Sequence, residues 1–425
     1  MAVIKAFRGI RYNGEKIKKF EQVLAPPYDV ISKKEQGRYY NESPFNVIRL
    51  ELGKDSAGDN AKKNKYTRAA HFLNEWLENG VLKKEAAPAV YVVVQDYREE
   101  GKMKNRIGFI AAMELDEKQV LKHENTLAAP KKDRLALLKE VRTNLSPIFG
   151  LFEDRQAVVQ KALQASLQRA PALDVSVSDV RHRLYVEDRP QVLKKIISSL
   201  QKKPMFIADG HHRLEVAFQY KRLRGPSKNG SNDGGNYVMT YFSDVLHNPF
   251  KIFPTHRLIH TQKTKSGVVA TLKKLGDVQK VSSLSLLLLK LSKYRSQVLG
   301  RPFTFGVYTK KEGFWLLTLS NKLAAKVGKN PVQQLDVAVL HQSLIAPYFG
   351  VKKIAKSKEI DFTRDPKEAV GRVNSGEFSA AFFLRPTSLE EMITVSKKGL
   401  KMPQKSTYFY PKLLTGMVFH SFGDS

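Results

Sequence analysis

The stretch MFIADGHHRLEVAFQY, residues 205–220, decides how the chain is read. Met205, Phe206, Ile207 and Ala208 are a short apolar run of strand character, and Leu214, Ala217, Phe218 and Tyr220 recur at helical spacing. Gly210 at the junction lets the backbone turn sharply, so the helix begins with its free N–H groups and the positive end of its dipole facing outward. Such a strand-to-helix turn suits a phosphate. His211, His212 and Arg213 add donors on the same first turn, and Arg213 can grip two oxygens at once. Asp209 either caps the helix or holds a Mg²⁺ that bridges phosphates. The competing reading is purely structural: a capping Asp followed by two incidental histidines.

Outward from that turn, strands and helices alternate. Val3 to Phe7 and Val47 to Leu52 read as strands, Ser32 to Glu35 has capping-box form, and Ala61 to Glu78 has the spacing of an amphipathic helix. Ala89 to Tyr97 and Arg106 to Leu115 are apolar runs joined by a polar loop, a hairpin signature. Helices are predicted near 134–142, 156–168 and 191–201, and strands near 183–186 and 237–242. Residues 225–236, GPSKNGSNDGGN, read as a flexible surface loop. Beyond 260, strands at 303–309, 314–319 and 378–384 mix with helices at 332–344 and 366–373. The fold class is mixed α/β, of the α+β kind, in three regions: 1–118, 119–260 and 261–425.

Composition narrows the chemistry. The chain has 425 residues and no cysteine, which excludes disulfides, thiolate metal sites and Cys nucleophiles. No secretory signal opens the sequence, and the most apolar run, Leu284 to Leu291, is too short to span a bilayer. These features predict a cytoplasmic protein with no membrane partner. Lysine and arginine exceed aspartate and glutamate by 72 to 41, a net charge of +31 that attracts polyanions in general. The lysines are scattered, as on a solvated surface, although nucleic acid remains a candidate partner.

Three further segments carry polar side chains in concentrated form. In HENT, residues 123–126, Glu124 suits a general base beside His123, with Lys131, Lys132 and Arg134 close behind to neutralise phosphate. In KSTYFYPK, residues 405–412, Lys405 and Lys412 bracket Ser406 and Thr407 and suit an anionic substrate, although the interleaved aromatics equally suit a packed strand. In APPYDV, residues 25–30, two prolines fix a rigid loop that presents Asp29.

The ordered series APPYDVIS, HENT, KKDRL, NLSPIF, ADGHHR, PTHRL, LDVAVLH and MPQKSTYFYPKL resembles the family known as domain of unknown function 1015 (DUF1015). That family is similar to the ParB/sulfiredoxin-like superfamily, which includes ParB CTPases, sulfiredoxin and ADP-dependent free-serine kinases. The resemblance implies a ParB-like core in 119–260, with α/β extensions on both sides. It also implies a phosphotransferase moving phosphate between ADP or ATP and serine or a similar small hydroxyl compound, in either direction. On this reading Glu124 is the catalytic base with His123 and Arg213 beside it, and Asp209, Gly210, His211, His212 and Arg213 hold the nucleotide phosphates. Asp209 is also expected to serve Mg²⁺, and Lys405, Ser406, Thr407, Lys412 and Asp29, in regions without a counterpart in the kinases, are expected from their own residue types to serve the acceptor. Base and phosphate cradle are expected to share one cleft. A homo-oligomer is left open. The alternative, from a different class, is a nucleotide-gated nucleic-acid binder resembling ParB.

Overall fold

A computed structural model describes residues 3–99, 101–201, 203–225, 233–260, 267–293, 302–351 and 359–423. The polar stretch 225–236 lies mostly outside the described residues. The chain divides into two compact units. The first comprises 1–121, 126–250 and 411–425, and the second 122–125 and 251–410.

The first unit is built on a nine-stranded mixed sheet. In chain order its strands are β1 (Ile4–Lys5), β2 (Val90–Glu99), β3 (Lys102–Glu114), β4 (Val120–Leu121), β5 (Ile148–Phe152), β6 (Leu173–Val177), β7 (Val180–Glu187), β8 (Met205–Asp209) and β9 (Tyr237–Asp244). Their spatial order is β4-β8-β5-β9-β3-β2-β7-β6, with β1 paired to β3. The β2–β3 hairpin forms where the two apolar runs predict it, in a register that sets Tyr91 against Ile110 and Glu99 against Lys102. Strands from both sides of residue 118 therefore share one sheet. Valines of β2, Ile107 and Phe109 of β3, and Met205 and Ile207 of β8 face a single core that helices Val158–Ser166, Pro190–Leu200 and His211–Arg224 cover. Alternate residues pointing to one side of a strand explain why these positions, two apart, are buried together.

Helices form at 33–42, 65–78 and 128–141 as well. Ser32 and Glu35 make the capping box that their spacing predicts, and Asn64 caps the helix Lys65–Glu78. The expected strand at Val47 to Leu52 is instead a single helical turn, Ile48–Glu51. Asn46 ties the turn to a distant segment: its side-chain oxygen accepts the Ile48 amide at 2.9 Å, while its amide group donates to Gln22 O at 2.7 Å. A short, fully buried apolar run carries no periodicity that separates strand from helix.

The second unit has its own six-stranded antiparallel sheet, of β10 (His256–Ile259), β11 (Gly276–Val281), β12 (Thr304–Thr309), β13 (Gly313–Leu319), β14 (Ile360–Thr363) and β15 (Ala380–Phe383). The order is β11-β13-β12-β15-β10-β14. One face packs Ile259, Phe305, Leu317 and Phe382 against the wide helix Leu340–Phe349, which contains Pro347. The other face packs Leu258, Leu316 and Phe383 against helices Leu284–Lys293 and Pro366–Asn374. The apolar run at 284–291 is thus one of the helices that cover this sheet. Among the described residues no helix is long and apolar enough to cross a membrane.

Candidate functional site

The turn after β8 takes the predicted form. Strand β8 ends at Asp209, Gly210 adopts a left-handed conformation with φ of 85°, and the helix starts at His211. A side chain is excluded at Gly210 on two grounds: the positive φ, and a Cβ that would lie 2.9 Å from Ile148 Cγ2. The pairing of β8 with β5 slips between Ile207 and Asp209, an irregularity that re-aims the last strand residue. Gly210, not Asp209, occupies the capping position, and it has no side chain to accept the first-turn amides.

Asp209 is instead the centre of a charge cluster. Its carboxylate lies 3.1 Å from Lys412 Nζ and 3.8 Å from Arg213 Nη2. Burial alone would raise its pKa, but Lys412, Arg213 and the Gly210 amide together hold the carboxyl below the usual carboxylate range. Arg213 also donates to the carbonyl of Pro147, which ties the SPIF segment to the turn. His212 Nε2 accepts the Leu127 amide at 3.0 Å. Burial lowers the His212 pKa, Asp29 opposes the shift, and Lys131 and Arg213 reinforce it. His212 is therefore neutral near pH 7 and has Nδ1–H as its remaining donor. His211 is buried, with 3% of its surface exposed.

The N-terminal motif reaches the same place. Tyr28 lies under the Arg134 guanidinium, 4.3 Å from ring centroid to Cζ, and burial pushes its phenol up to about 12 against the pull of Arg213 and Arg134. Arg134 is itself buried and donates to the Glu51 carbonyl at 2.6 Å and to the carboxylates of Glu51 and Asp133. Ser146 donates to Glu51 Oε1 at 3.2 Å. A cavity of about 50 Å³, room for a water molecule or two, borders Glu51, Arg134, Ser146 and Arg213 and is otherwise lined largely by aliphatic side chains. Asp29 itself is exposed. The sequence reading finds Asp29 but misses Tyr28, Glu51 and Ser146.

His123, Glu124 and Asn125 of HENT belong to the second unit, where they meet the C-terminal motif. Met402 donates its amide to the His123 carbonyl at 2.7 Å, and Glu124 pairs with Met402 in a parallel bridge. Buried His123 lies with Nε2 at 3.3 Å from Thr407 Oγ1. Lys405 is exposed, Ser406 is buried and Thr387 donates to the Ser406 carbonyl at 3.0 Å. The KSTYFYPK run thus serves both units, since Thr407 contacts His123 in the second and Lys412 pairs with Asp209 in the first.

The turn does not fit a resident divalent metal. Asp209 is one carboxylate already shared between two cations, and among the described residues no group of three His, Cys, Asp or Glu side chains could hold an ion.

Residues 4–338 match the family described as Protein of unknown function (DUF1015). The chain belongs to that family. No curated protein matches it in sequence. Among solved structures it is similar to a conserved hypothetical protein from Pyrococcus furiosus, at 12% identity and a TM-score of 0.34, over 72% of this chain and 92% of that one. It is similar also to a free serine kinase in complex with AMP, at 13% identity and a TM-score of 0.35, over 71% and 86% of the two chains. A third is SbnI with C-terminal truncation from Staphylococcus aureus, at 11% identity and a TM-score of 0.35, over 72% and 85%.

Proposed function

We propose that this family member is a phosphotransferase that moves a phosphoryl group between an adenine nucleotide, ADP or ATP, and a small hydroxyl compound such as serine. The observation that carries the reading is the cluster at the turn: uncapped first-turn amides, a left-handed glycine, Arg213 and Lys412 at one point. Those groups suit the terminal phosphates of a nucleotide, for which positioning and charge neutralisation do most of the catalytic work. An incoming phosphate would take Arg213 and Lys412 over from Asp209, so the carboxylate keeps the two cations placed until a nucleotide arrives. Any Mg²⁺ in the reaction is the one carried by the nucleotide.

Glu124 is the base in this scheme. It takes the proton of the acceptor hydroxyl, the oxygen attacks the terminal phosphorus, and the departing nucleotide keeps the electron pair of the broken P–O bond. Thr407, Lys405 and Asp29 serve the acceptor. The choice of serine follows the likeness of HENT and DGHHR to the free-serine kinase motifs.

The test is direct. Purified protein mixed with ADP or ATP, Mg²⁺ and serine is expected to yield phosphoserine, and phosphoserine with AMP or ADP is expected to yield serine. Mass spectrometry reads both. No product in either direction overturns serine as the acceptor, and no binding of ADP or ATP by calorimetry overturns the nucleotide site itself. Salt-sensitive binding to duplex or single strands in place of either would support the nucleic-acid reading that the +31 charge allows.

A further inference from the structure

Two of the family motifs, PTHRL and LDVAVLH, take no part in the scheme above, yet they meet inside the second unit. Arg257 of PTHRL donates from Nε to Nε2 of His341, the last residue of LDVAVLH, at 3.1 Å. Its other described acceptors are the carbonyls of Thr255 and, at 3.3 Å, Lys405 of the C-terminal motif. Arg257 is 1% exposed, and no carboxylate is among its described partners. A buried guanidinium ordinarily keeps an acid beside it, because taking an uncompensated charge out of water is costly. Here burial alone pushes it down to about 9, still protonated near neutral pH. The guanidinium has five N–H donors and three of them are used by described acceptors, which leaves two.

A second cation stands close by. Arg257 lies 5.3 Å from the Phe362 ring centroid, its cross-strand partner on β14, and the Lys405 ammonium lies 4.6 Å from the same centroid. Lys405 takes part in no described ion pair, adopts a left-handed φ of 54°, and is exposed, while Phe362 is half-buried. Two like charges thus lie against one ring, the buried guanidinium and the exposed ammonium.

We propose that Arg257 and Lys405 form a second anion site, within the second unit, that takes the carboxylate or phosphate of a small ligand. His341 fixes the guanidinium through Nε, and one N–H on each of Nη1 and Nη2 is left to donate to an oxyanion. The site stands whether or not the Asp209 turn transfers phosphate.

The experiment uses the full chain and separates the two anion sites by substitution. Thermal unfolding is followed while inorganic phosphate or acetate replaces chloride at constant ionic strength, first in Arg213→Met, which disables the turn. One of the two anions is expected to raise the midpoint in this variant, and which one does so tells phosphate from carboxylate. Adding Arg257→Met should abolish the response. Arg257→Lys, which keeps the charge and loses the fork, should raise the apparent dissociation constant at least ten-fold and serves if the methionine variant does not fold. Lys405→Met should weaken the response by a smaller factor. An unchanged response without the Arg257 fork, or no response to either anion while Arg257 is intact, overturns the proposal.

Discussion

The cations of the two units are treated in opposite ways. In the first unit Arg213 and Lys412 share the Asp209 carboxylate, and Arg134 shares those of Glu51 and Asp133. In the second, Arg257 is more deeply buried than Arg213 and has carbonyls, an imidazole and a ring for company. A cation paired with an acid can wait for its ligand at little expense of stability, and the ligand displaces the acid. A buried cation without one is destabilising until an anion arrives. The contrast sets an acid-paired cluster of cations against a buried arginine with no described acid. They differ in what they ask of the fold when empty.

The largest expected effect lies in the division of labour between the units. Glu124→Gln keeps size and hydrogen bonding while removing the basic carboxylate, and is expected to lower turnover by about 10²–10⁴-fold with nucleotide affinity nearly constant. Arg213→Lys keeps charge and loses the two-pronged grip, so it should weaken nucleotide binding and turnover together. Binding by calorimetry beside steady-state rates draws the distinction. If Glu124→Gln abolishes nucleotide binding and leaves the rate per bound nucleotide intact, Glu124 is a binding residue and the assignment of the base is wrong.

Acid should act on the second unit through the histidines that flank its buried cation. Burial, then the Arg257 charge, hold His341 down to about 3 and His256 down to about 4. Both pKa values are lower in the folded chain than the ordinary 6.5, so the unfolded chain binds the proton first as pH falls. Their contribution is complete above about pH 6.5 and is lost progressively as pH falls toward 4 and 3, on the order of 2 kcal/mol for each by pH 5. Denaturant melts at pH 7 and pH 5 measure it. His341→Asn should flatten the dependence, and an equal slope with and without His341 would show that it titrates normally in the fold.

How far the sequence discloses this arrangement depends on the range of the interaction. Local signals are legible: the β8 turn from four apolar residues and a glycine, the β2–β3 hairpin from two alternating runs, the helix at 33–42 from Ser32 and Glu35. The helical turn at Ile48–Glu51 is not, because its outcome rests on Asn46 bonding Gln22 and Leu24 far along the chain. Partners of charged groups are the least legible. Nothing near Asp209 in sequence announces Lys412, and nothing near Arg257 announces His341, since such pairs form only when distant strands and helices pack. The one available hint is that both lie within motifs of the family, PTHRL and LDVAVLH among them.

The smallest expected effects separate the two lysines of a single motif. Lys412→Met removes the nearest counter-charge of Asp209 and leaves a part-buried carboxylate with Arg213 at 3.8 Å, so it should lower stability by about 1–2 kcal/mol at pH 7. The Asp209 pKa should rise, and the loss should shrink as acid neutralises the carboxylate, because Lys412 is among the charges that hold that pKa down. Lys405→Met alters an exposed side chain over Phe362 and keeps an apolar contact with the ring, so stability should change by no more than about 0.5 kcal/mol. Urea melts of the two variants at pH 7 and pH 4 decide the matter. Equal losses at pH 7 would mean that the Lys412–Asp209 pair adds nothing beyond a surface contact, and the picture of a carboxylate holding the cations of the turn in place would fall with it.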